Sequence, residues 1–210
     1  MLFRSVLRDV KGEIEIDGKR VTLKSPRDAK SDEIAMALIP EDRKTEGLLL
    51  PMTVRENLSI AALDRVSRRG VIDRASEERQ IDDLLKLLAI KAATIDMPAA
   101  ALSGGNQQKV VIAKWLMNRP RIILLNDPTR GIDVGTKQEI YQLLRKLADA
   151  GAAIVFYSTD YAELVGCCDR ALVMYDGRIV RELEGSEITE HELVGSALNV
   201  GSVQNQQRIA

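Results

Sequence analysis

Residues 102–109 read Leu-Ser-Gly-Gly-Asn-Gln-Gln-Lys, LSGGNQQK. The apolar spacing that follows predicts a helix over Gln107 to Asn118, with Pro120 marking its end. Ser103 is a good N-cap for that helix. One glycine would serve a cap, and a second adds conformational entropy that folding must remove. Two glycines also leave backbone amides bare at a helix entrance. Unpaired N–H groups and the helix dipole both favour an anion there, and a phosphate fits. The plainer alternative is a capped helix with a flexible approach, and these eight residues alone leave both open.

Downstream, residues 122–131 read IILLNDPTRG. Ile122 to Leu125 has the continuous apolar character of a buried strand, and it ends abruptly in Asn126, Asp127 and Pro128. Beyond it the pattern predicts a helix over Lys137 to Ala148, ended by Gly151, then a buried strand from Ala153 to Tyr157. A short helix at Tyr161–Val165 follows. Strands at Ala171–Tyr175 and Arg178–Leu183 flank an Asp176-Gly177 turn, and a helix at Ile188–Leu198 closes the series. Alternating helices and buried strands predict a parallel sheet covered by helices on both faces. Chemistry in such sheets sits at the carboxyl ends of strands, which singles out Asn126-Asp127 and Ser158-Thr159-Asp160. A carboxylate emerging beside a phosphate site suits Mg²⁺ or a positioned water. Taken alone, Asp127-Pro128 reads equally as a strand terminator.

Upstream, Glu13 to Leu23 reads as a hairpin around Asp17-Gly18. Ile34 to Ile39 reads as a buried strand closed by Pro40, and residues 41–52 as a polar loop. Thr53 caps a short helix, VRENLSI. Residues 61–74 read as an Arg-rich loop, and Glu77 to Ile90 as an amphipathic helix.

Composition narrows the functions. Apolar residues make up 45% of the 210 residues and aromatics 3%, so the core is aliphatic. A net charge of −1 argues against nucleic-acid binding through bulk charge. The two cysteines, Cys167 and Cys168, are adjacent and form no disulfide framework, which fits a reducing compartment. The single histidine, His191, rules out a His-rich metal site. No apolar run reaches the roughly 18–20 residues that span a bilayer.

Together these pieces are more specific than any one of them. LSGGNQQK, then a helix, then IILLNDPTRGID, then a helix, then IVFYSTDYAEL closely resembles an ATP-binding-cassette (ABC) ATPase domain. In order they look like the signature motif, the Walker B strand, the D-loop and the switch region. IPEDRKTEGLLLPMTVRENLSI sits where the Q-loop and helical subdomain begin. The wording LSGGNQQK, PTRGIDVG and EDRKTEGL resembles the second cassette of the double-cassette ATPases that power bacterial importers of simple sugars such as ribose, galactose and xylose.

The resemblance covers about residues 10–200. It implies an α/β, P-loop NTPase-like ABC cassette. Such a cassette has a mostly parallel sheet flanked by helices, an N-terminal antiparallel hairpin and a helical subdomain at about residues 53–106. Residues 1–200 would then be a partial nucleotide-binding domain and residues 201–210 a polar tail. The implied cofactors are ATP and Mg²⁺. The implied partners are a complete ABC cassette, membrane permease subunits and, indirectly, a periplasmic sugar-binding protein. The implied location is cytoplasmic, on the inner face of the plasma membrane.

Several positions depart from the family pattern. No Walker A loop, G-x-x-x-x-G-K-[ST], is present: the Gly18-Lys19 pair is followed by Arg20. Asn126 stands at the Walker B Asp position and would hold the metal weakly, through a neutral carbonyl. Asp127 stands at the catalytic Glu position with a shorter reach. Glu41 stands at the Q-loop Gln position, and Thr159 at the switch His position. These departures imply that the cassette's own ATP site is degenerate. Ser103, Gly104 and Gly105 are intact, followed by Asn106 and Gln107, and Asp133 matches the D-loop aspartate. The expectation is therefore a cassette inactive alone that completes the ATP site of a partner through its signature motif. The alternative is a non-catalytic remnant or regulatory module, whose incomplete sheet would expose aliphatic surface and promote association.

Overall fold

The computed structural model describes residues 11–198 and divides the chain after Tyr157 into two compact units. The first is organised by three parallel strands, β3 (Met36–Ile39), β6 (Ile122–Asn126) and β7 (Ala153–Tyr157), in the order β3-β6-β7. Met36 pairs with Ile122 and Ile122 with Ala153, so the three strands run in one register and end together.

Strand alternation gives this sheet two unequal faces. Ala37, Ile39, Ile123 and Leu125 point into the main core, beneath α5 (Gly104–Leu116) and α6 (Val134–Asp149). Val110, Val111, Ile112 and Ala113 of α5 are fully buried in that core, as are Ile140, Leu143 and Leu144 of α6. On the opposite face Val155 is 60% and Tyr157 57% exposed. The expected helical cover on both faces is thus absent over β7 among the described residues. The apolar stripes of α5 and α6 serve the other side.

The sequence-predicted elements recur, with ends set by capping side chains. The first hairpin is β1 (Ile14–Ile16) and β2 (Lys19–Val21), with α1 (Pro26–Lys30) after it. Helix α2 (Val54–Ser59) starts at a Thr53–Glu56 capping box. Helix α4 (Arg74–Leu87), α5 and α6 each begin three residues before the hydrophobic periodicity, because Asp73, Ser103 and Asp133 accept hydrogen bonds from their first turns.

Two stretches differ from expectation. Residues 41–52 are no plain loop: Arg43–Gly47 coils into a π-helical turn that Asp42 caps by accepting from the Lys44 and Thr45 amides. Residues 61–74 contain α3 (Leu63–Val66) and a small hairpin, β4 (Ser67–Arg68) with β5 (Val71–Ile72). Arg69 and Gly70 both take positive φ there, which a two-residue hairpin turn requires.

The second unit is a hairpin, β8 (Arg170–Tyr175) with β9 (Arg178–Glu184), packed with α8 (Glu190–Ala197) and α7 (Tyr161–Cys167). Ala171, Val173, Leu183, Ile188 and Leu193 form its core. His191 is exposed. The N-terminal ten residues and the polar tail from Gly201 lie outside the described residues.

Residues 53–106 carry one buried charge. Glu77, on α4, is 1% exposed and accepts from the Ser59 hydroxyl at 2.6 Å and from Arg74 at 2.8 Å, with Arg55 at 3.5 Å. Burial pushes its carboxyl pKa up. The Ser59 hydrogen bond and the two guanidiniums outweigh that and leave it below the usual carboxylate value. A folded pKa below the unfolded one means that Glu77 stabilises the fold fully above about pH 4.3 and loses this contribution as pH falls through the folded value. Glu77→Gln is expected to lower stability by about 2 kcal/mol at pH 7. The gap to wild type in urea midpoint should narrow at pH 3. An unchanged gap would assign the effect to packing instead.

Candidate functional site

The first two residues of helix α5, Gly104 and Gly105, carry no side chain. The exposed Ser103 hydroxyl accepts from the Asn106 backbone amide at 3.4 Å and from the Asn106 side-chain amide at 3.0 Å. The Asn106 side-chain oxygen Oδ1 in turn accepts from the Lys91 backbone amide at 2.8 Å. Gln107 is buried and donates to the carbonyls of Ala99 and Leu102, which fixes the approach to the helix. The amides of Gly104 and Gly105 lie in the first turn, where no intrahelical acceptor exists.

Both glycines have close neighbours, and Gly105 has the one that cannot readily yield. A Cβ on Gly105 would stand 2.6 Å from Thr136 Oγ1, and one on Gly104 would stand 2.9 Å from an Arg43 guanidinium nitrogen. Thr136 cannot turn aside freely, because its hydroxyl donates to Asp133 at 2.9 Å and its amide donates to the same carboxylate at 2.9 Å. The Thr136 amide holds the Asp133 carboxyl below the usual carboxylate range. Lys109, nearly buried, pairs with Glu139 of α6 and donates to the Ala89 carbonyl at 3.2 Å. Ser103–Gln107 and Asp133, far apart in sequence, are thereby brought together through Thr136.

The strand end forms a second group. Asn126 is exposed at the last position of β6, opposite Tyr157. Asp127 is 4% exposed and its amide donates to the Tyr157 carbonyl at 2.8 Å. Its φ of +43° lies in the left-handed region, which Asp tolerates better than most residues. Glu41 does not stand as an isolated negative charge: it pairs with Arg130, three residues beyond Asp127. Thr159 is exposed in the second unit, beside Ser158, which donates to Glu163 at 2.9 Å, and Asp160, which caps α7.

Chemically, the entrance to α5 offers amide N–H groups and a hydroxyl to an anion. The strand end offers one neutral amide oxygen and one carboxylate. No set of three His, Cys, Asp or Glu side chains is placed to hold a metal among the described residues. A Mg²⁺ there would have to keep several waters and borrow ligand oxygens. Sequence reasoning missed Arg43, Thr136 and Arg130. Arg43 and Arg130 lie inside quoted motifs, EDRK and PTRG, whereas nothing local marked Thr136 as the neighbour of a glycine.

Gly105→Ala is expected to lower stability by about 1–3 kcal/mol through overpacking, measured by chemical denaturation. Thr136→Ala in the same chain should recover most of the loss. Failure of that rescue would mean that Gly105 is required for another reason.

Comparisons with known proteins agree with this geometry. A family model described as ABC transporter matches residues 1–130. The chain is 84% identical over 205 residues to the ribose import ATP-binding protein RbsA 1 of Rhizobium johnstonii, covering 98% of this chain and 40% of that protein. It is 44% identical over 187 residues to the xylose import ATP-binding protein XylG of Geobacillus kaustophilus, covering 89% of this chain and 37% of that protein. The chain thus spans about two fifths of the length of these curated relatives. Among solved structures, the dimeric post-hydrolysis cassette MJ0796 bound to ADP and Pi superposes with a TM-score of 0.68 at 26% identity, covering 83% of this chain and 73% of that one. A nucleotide-free cassette of an ABC transporter superposes with a TM-score of 0.72 at 22% identity, covering 90% and 75%. Fold, motif order and family match lead to one conclusion: the chain belongs to the ABC transporter family, as part of an ATP-binding cassette.

Proposed function

We propose that this chain is an ATP-binding component of a bacterial sugar importer of the ribose class, acting through its signature motif in an ATP site shared with a complete cassette. The observation that carries the reading is the glycine pair that opens α5, with Ser103 exposed and the Gly104 and Gly105 amides in the turn that lacks intrahelical acceptors. ATP held by the Walker A loop of the partner would place its terminal phosphate against this turn, with Mg²⁺ chiefly on the partner's side. Asp133, fixed beside Gly105 through Thr136, belongs to the same surface. The names of the relatives support ribose-type import as the process. They also support permease subunits and a substrate-binding protein as further members of the assembly, with this chain on the cytoplasmic face of the membrane.

The strand end supports little hydrolysis by this cassette's own residues. Asn126 supplies no charge to a metal. Asp127 is buried and its backbone is turned into the left-handed region. The Glu41–Arg130 pair removes the penalty of a bare carboxylate near phosphate but restores no amide donor.

A second reading, a non-catalytic interaction module, is favoured by one observation: Gly105 has a purely steric reason to be glycine. Hydrolysis assays separate the two. Added to a Walker-A-bearing cassette from the same transporter, wild-type chain should raise MgATP turnover several-fold, and Ser103→Arg should not. A folded wild-type chain that leaves turnover unchanged would favour the second reading.

A further inference from the structure

Arg43 is placed in an electrostatically unfavourable position. Its guanidinium lies against Gly104, at the positive end of the α5 dipole. Its Nε is buried and has no hydrogen-bond partner, and no ion pair involves the side chain among the described residues. Neighbouring cations differ. Arg130 pairs with Glu41, Lys109 pairs with Glu139, and Lys114 donates to the Gly47 carbonyl at 2.9 Å. The adjacent carboxylate, Asp42, is engaged with the Lys44 and Thr45 amides.

The placement is held by the fold. The Arg43–Gly47 turn is closed by the Leu48 amide donating to the Arg43 carbonyl at 2.8 Å. At its other end, Gly47 packs so closely on α5 that a Cβ there would stand 2.8 Å from a Val111 methyl. Lys114 of the same helix fastens the Gly47 carbonyl. Helix and turn therefore move as one body, and Arg43 stays over the helix entrance.

A half-buried guanidinium whose buried Nε lacks a partner, facing an uncompensated helix N-terminus, is stabilised by an anion with several acceptor oxygens at its solvent-facing nitrogens. We infer that Arg43 is a phosphate-binding residue of the signature surface, contacting the terminal phosphate of a nucleoside triphosphate presented by a partner cassette together with the Gly104 and Gly105 amides. This rests on the shared-site reading proposed above. It adds to that reading a positive charge, drawn from the 41–47 turn and delivered to the neighbour's nucleotide. A guanidinium fork can hold two phosphate oxygens, which an ammonium on a shorter stem cannot reproduce.

The test is association of the full chain with a complete, hydrolysis-deficient cassette of the same transporter, followed by sedimentation in MgATP. Wild type should form a heterodimer. Arg43→Ala should weaken it at least tenfold, Arg43→Lys should fall between, and Ser103→Arg should abolish it. Equal urea midpoints for wild type and Arg43→Ala would confirm that the variant folds, since the side chain it removes has no partner in the free chain. Arg43→Ala binding as tightly as wild type, while Ser103→Arg fails, would overturn the Arg43 assignment and leave the shared site standing. Tighter binding by Arg43→Ala would show that the guanidinium obstructs the nucleotide and would also overturn it. No MgATP-dependent association by wild type would overturn the shared-site reading itself, and the Arg43 assignment with it.

Discussion

Helix α5 occupies its position because Gly105 carries no side chain. Thr136 fills the space a Cβ on Gly105 would need, while the Arg43 guanidinium merely lies over Gly104. With the Thr136 contact made, the helix can bury Val110 through Ala113 completely against the sheet. The same two glycines, Gly104 half-buried and Gly105 buried, hold amides in the turn that lacks intrahelical acceptors. Core packing and the proposed anion contact thus share the same glycines, so loss of function on substituting Gly105 does not by itself identify a ligand contact.

The strand end shows a different balance. In a sheet whose strands end in register, β3 and β6 deliver Glu41 and Asn126–Arg130 to one edge. Opposite charges at that edge pair with each other, Glu41 with Arg130, and so neutralise the site internally. Charge that pairs within the protein is less available to position a water or neutralise a phosphate. Around the α5 entrance the reverse holds, with donors and positive charge left without acceptors. This contrast distinguishes the two motifs more sharply than their residue types do.

The sequence revealed the elements whose cause is local. Hairpin β1–β2, strands β6 and β7 and helix α6 follow from alternation, apolar runs and turn residues, and LSGGNQQK announced both a cap and an anion-compatible turn. Helix starts were placed about three residues late for α4, α5 and α6, because Asp73, Ser103 and Asp133 extend each helix into polar sequence. The Arg43–Gly47 turn carries no local signal beyond its polarity, because it is held by Val111 and Lys114, nearly seventy residues on. The open face of β7 was invisible to periodicity, since Ala153–Tyr157 is apolar on both sides. For the site, residue identity located Ser103, Gly104, Gly105 and Asp133. Only the folded chain shows that Thr136 joins them and that Arg43 lies unpaired beside them.

The central claim is that the α5 entrance, not the strand end, is where this chain meets nucleotide. Hydrogen exchange of the full chain, read by peptide with and without a complete cassette and MgATP, tests it most directly. The account predicts strong added protection of residues 102–109 only when cassette and MgATP are both present, and no change at residues 122–131 with MgATP alone. Protection confined to residues 122–131, or the same protection of 102–109 without nucleotide, would contradict it.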